Sequence, residues 1–325
     1  MIQKFEESEL AMSTVSHDVV DANDTRCFVN PVDIPLEKSE RFKENGFIKI
    51  EGLLSPACIQ ALREAALLHV RSASDFDTNY GSEFKRLTYG LGQTGVLRRI
   101  YTANSFRKIV VSLIGNPLIM SEGLALELRK GETGFTWHYD SVSFRFIRPI
   151  DPGYSIWIPL NNIDPDRDGG GMAYIPENLL SGVFNYQLSS LLSKKISKGD
   201  DISAMSSSLQ KVFSTSSLLK EIFEENKVED EFSLGDVLLF TKSVWHRTSP
   251  LKQSGPNSRL AVAIRLLDWR SRLDSGMFEG ETHSGGGMGM GVNWGNPKQT
   301  IYGSQFVDIA DGDELRNSRF CGPII

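Results

Sequence analysis

The stretch FTWHYDSVSF, Phe135 to Phe144, alternates like a β-strand and sets a histidine and an aspartate two positions apart. Side chains at i and i+2 share one face of a pleated strand, so His138 and Asp140 point together into whatever that face encloses. A metal ion is one occupant that accounts for them, and a plain hydrogen-bonded pair is the other. An H-x-D triplet alone does not choose between the two.

On either side of this stretch the texture is that of a β-rich protein. Short apolar or alternating runs follow one another from Leu118: ALELRK, the stretch itself, YSIWIPLNNI, GMAYIP, DVLLFT and SRLAVAIRLLDW. Gly, Pro, Asn and Asp clusters separate them, which predicts a sandwich or barrel with helices outside. Upstream the chain reads as helix-rich. Asn45-Gly46 marks a turn before the strand FIKIEGLL, then Ser55 is placed to cap a helix opened by Pro56, with Ile59, Leu62, Ala66 and Val70 on its apolar stripe. NSFRKIVVSLIGNP repeats that logic, opening at Asn104 or Ser105 and stopping at Gly115-Asn116-Pro117. Residues 1–34 read as a flexible tail and residues 35–325 as one domain. Within it residues 181–231, Ser-rich and charged but with apolar residues at helical intervals, read as an insertion of one or two helices. The Gly-rich HSGGGMGMGVNWGNP downstream reads as a surface loop.

Composition excludes several functions. The chain has 325 residues, 40% hydrophobic and 23% charged, which suits a globular protein with a sizeable core. A net charge of −6 argues against a nucleic-acid partner, because such binding rests on Lys and Arg contacts to phosphates. Cys27, Cys58 and Cys321 are too few and too scattered for a disulfide framework or a C-x-x-C metal site, which fits a reducing cytoplasm. No run approaches a membrane span or a secretory leader.

A third ligand candidate lies downstream. His246 in TKSVWHRTS follows the strand DVLLFT and precedes a turn-rich loop, where a strand-end side chain can meet His138 and Asp140 across a barrel. Two histidines and one carboxylate form the facial triad of non-haem Fe(II) oxygenases, although three such ligands plus water also make a catalytic zinc site. The last strand separates these readings. In RLAVAIRL, Leu260, Val262, Ile264 and Leu266 share one face, and Arg259, Ala261, Ala263 and Arg265 share the other. A guanidinium sent inward needs an anion, either an internal carboxylate or a diffusible diacid such as 2-oxoglutarate.

With these residues in place the chain resembles the phytanoyl-CoA dioxygenase family of Fe(II)/2-oxoglutarate oxygenases from about Phe42 to Asp268. FKENGFIKIEGLLSPACIQALREA is similar to the family's opening, WHYD to its H-x-D motif and IWIPLNNIDPDRDGGGMAYIP to its following hairpin. LGDVLLFTKSVWHRTS with Arg259 resembles its distal histidine and the arginine about a dozen residues beyond. The resemblance implies a mainly β fold with flanking helices around a double-stranded β-helix, the jelly-roll or cupin-like core. It implies iron held by His138, Asp140 and His246, and 2-oxoglutarate held by Arg259 with Trp157 beside it and Thr248 giving a hydroxyl. Arg98 or Arg99 would add a further cation. O2 would be the second co-substrate, with succinate and CO2 as products. Related halogenases carry a small residue where Asp140 stands, so the resemblance implies hydroxylation of an unactivated C–H bond, or a related desaturation or ring closure.

The chain departs from the family at PENLLSG, Pro176 to Gly182, where many relatives read P-G-S-H, so substrate identity does not carry over. Its position on the same face as Arg259 and deeper along the strand makes Arg265 a candidate for an anionic group on a small-molecule substrate, with an ion pair to Glu127 as the competing assignment. Phe144 and Phe146 are candidates for the site's mouth. Two rival functions remain at this point. One is a zinc hydrolase on the same ligands, which has no need of Arg259. The other is a jelly-roll binding protein without turnover, which has no need to keep all three ligands and the arginine.

Overall fold

A computed structural model describes residues 27–72, 86–88, 91–93, 95–140, 142–199, 216–279, 306–322 and 324–325. The strands are β1 (Phe47–Ile50), β2 (Arg86–Thr88), β3 (Leu118–Arg129), β4 (Gly153–Pro159), β5 (Met172–Tyr174), β6 (Val228–Glu229), β7 (Val237–Thr241), β8 (His246–Thr248) and β9 (Ser258–Asp268). They form two antiparallel sheets, a six-stranded one in the order β1-β7-β4-β9-β3-β2 and a three-stranded one in the order β6-β5-β8. Between the sheets lies an apolar cluster that joins Leu124, Trp157, Leu238 and Ala263 of the large sheet to Met172 and Tyr174 of the small one. This is the double-stranded β-helix that the sequence implies.

Period-two alternation decides which residues enter that space. Leu260, Val262, Ile264 and Leu266 of β9 turn to the back of the large sheet, while Ala261 and Ala263 line its inner face. Strands β4 and β7 divide in the same way, with Trp157, Leu238 and Phe240 inward and Ile156, Ile158, Val237 and Leu239 outward. Strand β3 would follow suit throughout but for a bulge between Met120 and Glu122. Leu118 and Met120 pack at the back, whereas Leu124, Leu126 and Leu128 face inward. An inserted residue inverts the parity of a strand, and here it turns Glu122 to the inner face opposite Arg265.

The back of the sheet is covered by helices α1 (Leu36–Asn45), α2 (Pro56–Ser72), α3 (Gly95–Tyr101) and α4 (Asn104–Ile114). Ser55 caps α2, its hydroxyl accepting from the Cys58 amide at 3.2 Å, and Ile59, Leu62 and Ala66 are buried. Helix α4 starts at Asn104 without a side-chain cap and ends at Gly115 in the left-handed region, φ 86°. Phe28 and Val29, inside the stretch expected as a tail, are buried in this core. The guanidinium of Arg99 lies 3.7 Å from the Phe28 ring centroid, so this arginine packs against the N-terminal segment. The expected insertion supplies α5 (Val183–Ser197) and α6 (Ser216–Asn226), whose Tyr186 and Phe223 join a third cluster with Trp137, Tyr139, Phe144, Phe146 and Trp245. Residues 1–26 of the tail and the Gly-rich segment 283–297 lie outside the described residues. Among the described residues no helix is long and apolar enough to cross a membrane.

One element differs from its expectation. Phe135 to Phe144 is not a ladder strand: a single bridge pairs His138 with His246, and a 3₁₀ turn follows at Val142–Phe144. The alternation survives in a segment whose backbone hydrogen bonds to the β8 side are scattered, at Phe135, His138 and Asp140 among the described residues.

A candidate metal centre

The bridge between His138 and His246 is reciprocal, with the His138 amide donating to His246 O at 2.9 Å and the His246 amide to His138 O at 2.7 Å. It brings the two imidazoles to a centroid distance of 4.2 Å. Asp140, two residues on, is fixed by its amide, which donates to Lys242 O at 3.1 Å. The three side chains are buried, and their ligand atoms lie within 4.8 Å of one another.

Each imidazole is committed on one side only. His138 Nδ1 lies 2.7 Å from Thr136 O and His246 Nδ1 lies 2.9 Å from Val244 O. A carbonyl there requires a protonated Nδ1, which leaves both Nε2 lone pairs available in the cavity. Burial first, then the neighbouring His246, pushes the His138 ring down to about 3, and burial likewise lowers His246, so both rings are neutral as metal ligands must be. Asp140 is ionised. Burial pushes it up, but the Arg265 guanidinium beside it, with the Ser155 hydroxyl, outweighs that and holds it below the usual carboxylate range.

A hydrogen-bonded pair does not account for this cluster. The carboxylate approaches His246 Nε2 only to 3.6 Å, too long for a hydrogen bond, and its other oxygen is occupied by Arg265 and Ser155. Two imidazole nitrogens and one carboxylate oxygen turned to a common point form a donor set that fits a divalent transition metal.

At the opposite end of the inner face sits Arg259, 2% exposed. Its Nε donates to Gly170 O at 2.7 Å, and its Nη1 is buried without a partner. Gly170 holds φ +76°, and a Cβ there would approach Leu251 Cδ2 to 2.7 Å, so only glycine presents this carbonyl. Among the described residues no carboxylate pairs with Arg259, and burial alone lowers its pKa to about 10. Trp157 lies beneath the guanidinium at 5.4 Å and is braced by Phe232 at 5.3 Å. Thr248 is buried, and its hydroxyl accepts from the Phe135 amide at 3.2 Å, leaving its own proton to donate.

Two expectations need correction. Arg265 faces inward, but its Nη1 is spent on Asp140 at 2.5 Å and on Ser155, and so is committed neither to a substrate anion nor to Glu127. The physical reason is the bulge in β3: Glu127 stands across from Leu260, and Glu122 takes the place opposite Arg265. Phe144 does not line a mouth either. It is fully buried, its carbonyl accepts from the Tyr186 hydroxyl, and its ring lies 6.0 Å from the Arg265 guanidinium. Phe146 is buried against Phe306 at 4.8 Å. Arg98 and Arg99 are half-buried on α3. Sequence reasoning missed Ser155, although its position two residues before Trp157 places it on the same inward face.

The fold recurs in solved structures of low identity. The non-haem alpha-ketoglutarate-dependent carbocyclase SnoK from nogalamycin biosynthesis superposes with a TM-score of 0.58 at 14% identity, over 91% of this chain and 99% of that one. The epimerase SnoN of the same biosynthesis, solved in complex with Fe3+, alpha-ketoglutarate and nogalamycin RO, gives 0.52 at 14% identity over 89% and 97%. EctD from S. alaskensis, solved with 2-oxoglutarate and 5-hydroxyectoine, gives 0.51 at 16% identity over 81% and 85%. No curated protein sequence matches this chain significantly. The family model for phytanoyl-CoA dioxygenase matches residues 42–259, a span that takes in His138, Asp140, His246 and Arg259, and the chain therefore belongs to the phytanoyl-CoA dioxygenase (PhyH) family.

Proposed function

We propose that this chain is an Fe(II)- and 2-oxoglutarate-dependent dioxygenase that hydroxylates an unactivated C–H bond of a small-molecule metabolite. The observation that carries the reading is Arg259. A buried guanidinium with an unpartnered Nη1 and no protein carboxylate beside it is costly unless an anion arrives from outside, and a dicarboxylate anchored to the metal at its other end meets that need. A zinc hydrolase on the same ligands leaves this cation without a purpose.

In this reading His138, Asp140 and His246 hold iron, and the bound iron with 2-oxoglutarate and O2 supplies the oxidising power, releasing succinate and CO2. The protein's own work is placement. The Gly170 carbonyl fixes Nε of Arg259 so that the remaining fork receives a carboxylate in two parallel hydrogen bonds. Thr248 donates its free proton to the same co-substrate, and Trp157 walls it on one side. Leu124, Leu126, Ala261 and Ala263 keep the floor between the two ends apolar, which limits water near the reacting groups.

The test is an anaerobic mixture of protein, Fe(II) and 2-oxoglutarate, exposed to oxygen with a panel of small metabolites. Succinate formation above the substrate-free background, with a product heavier by one oxygen, supports the hydroxylase. A product of unchanged mass or lighter by two hydrogens reassigns the outcome to epimerisation, ring closure or desaturation. Iron bound but no succinate under any condition favours the binding protein.

A further inference from the structure

Asp140 has two oxygens, and the structure treats them differently. Oδ1 lies 3.6 Å from His246 Nε2, on the side where the ligand atoms converge. Oδ2 accepts from Arg265 Nη1 at 2.5 Å and from the Ser155 hydroxyl, and Arg265 Nη1 also contacts the same hydroxyl. Ser155 and Arg265 stand directly opposite each other on neighbouring strands β4 and β9, so the backbone register closes this triangle. All three residues are buried, Ser155 completely. Facing Arg265 from the other side is Glu122 of β3, whose Oε2 is buried without a partner.

We propose that Arg265 and Ser155 are positioning residues that hold Asp140 to the metal through Oδ1 alone. A carboxylate free to rotate can chelate through both oxygens and take an extra coordination position. Here Oδ2 is held by two donors on rigid strands, so Asp140 contributes a single oxygen and the remaining positions stay open to co-substrates. Arg265 also offsets the carboxylate's charge, which leaves the metal more electrophilic than a bare Asp would. Glu122 stands across from Arg265 in the β3–β9 register without an ion pair to it among the described residues. The inference rests on the metal-binding part of the function proposed above, not on the identity of any substrate.

The experiment uses Co(II) as the probe, bound anaerobically to the full-length chain, with dissociation constant and visible absorption as readouts. Wild type that binds no Co(II) refutes the metal centre itself. Given binding by wild type, R265M is expected to weaken it roughly tenfold or more and to change the band position or intensity, because the number of oxygens on the ion changes. R265K keeps the charge without the fork, and is expected to fall between the two. S155A keeps Arg265 in place and removes one of the two donors, giving a loss of a few-fold with a smaller spectral change. Superimposable spectra and unchanged affinity in both R265M and S155A overturn the proposal. Should R265M fail to fold, S155A decides, and a wild-type spectrum with wild-type affinity there overturns it equally. Altered affinity with an unaltered spectrum in either variant also overturns it, since that is the signature of a residue that supports the fold without setting how Asp140 ligates.

Discussion

The two inward arginines of β9 share a strand and a face, yet they live differently. Arg265 meets Asp140 at 2.5 Å, so its charge is paired within the protein, although its Nε is buried without a partner. Arg259, at the other end of the face, has one backbone carbonyl and a buried Nη1 with nothing to bind. Both are removed from water and each keeps one buried nitrogen without a partner, so the difference lies in charge pairing: Arg265 has a carboxylate beside it and Arg259, among the described residues, has none. A cation already paired has done its work when the protein folds, whereas one left unpaired identifies a place where a ligand completes the structure. On the function proposed here, the comparison separates the part of the site that would shape the metal from the part that would receive a diffusible acid.

The sharpest break is at the metal. His246→Ala is expected to abolish stoichiometric Fe(II) or Co(II) binding, measured by metal analysis after desalting, and with it any 2-oxoglutarate-dependent oxygen uptake. Arg259→Gln is next. It should leave metal binding unchanged and raise the apparent KM for 2-oxoglutarate by about 100-fold, in line with the roughly 2–5 kcal/mol carried by a buried charged hydrogen-bonded pair. A metal affinity that falls with it would mean the two ends are not separable. Thr248→Val, which removes one hydroxyl donor, is expected to raise the same KM by only about fivefold, equivalent to roughly 1 kcal/mol. The wild-type KM in that variant would remove Thr248 from the co-substrate site.

The smallest effect concerns a third arginine, only partly buried, which calibrates the other two. Arg247 is held by Glu224, whose carboxyl is lowered to about 2, chiefly by its hydrogen bonds to Arg247 and against a smaller cost of burial. A carboxyl lowered on folding stabilises the protein above its unfolded pKa and loses that contribution as pH falls through its folded value. Glu224→Gln should therefore lower Tm by a constant small amount above about pH 5, with the gap closing as pH drops towards about 2. A gap that does not depend on pH would show that the contact matters through shape and not charge.

What the sequence disclosed follows from the period of the strands. Arg259, Ala261, Ala263 and Arg265 fall on one face by counting in twos, and the structure keeps that face inward. His138 and Asp140 were legible through the same alternation, although among the described residues their segment forms one β-bridge and no ladder. The count fails where a bulge intervenes. Reading β3 in twos through Met120 would turn Glu122 to the back, so neither its place beside Arg265 nor the consequent loss of Glu127 as a partner could be read off. Ser155 was hidden for another reason: a serine in an apolar strand has no distinguishing spacing, and only its partners give it a role.

Beside the packing of Tyr186 and Phe223, one polar side chain of α6 reaches the sequence neighbours of both histidines. Glu224, on α6, accepts from the indole of Trp137 at 2.9 Å and from Arg247 at 2.9 and 3.0 Å, and these residues adjoin His138 and His246 in the chain. One carboxylate thus grips the sequence neighbours of both histidine ligands, like a clasp across two hems. Trimming the chain between α5 and α6 leaves that clasp shut, while excising α6 opens it at both sides together. Amide hydrogen exchange at Trp137 and Arg247 should accordingly rise in step when Glu224 is lost, as one unit rather than two.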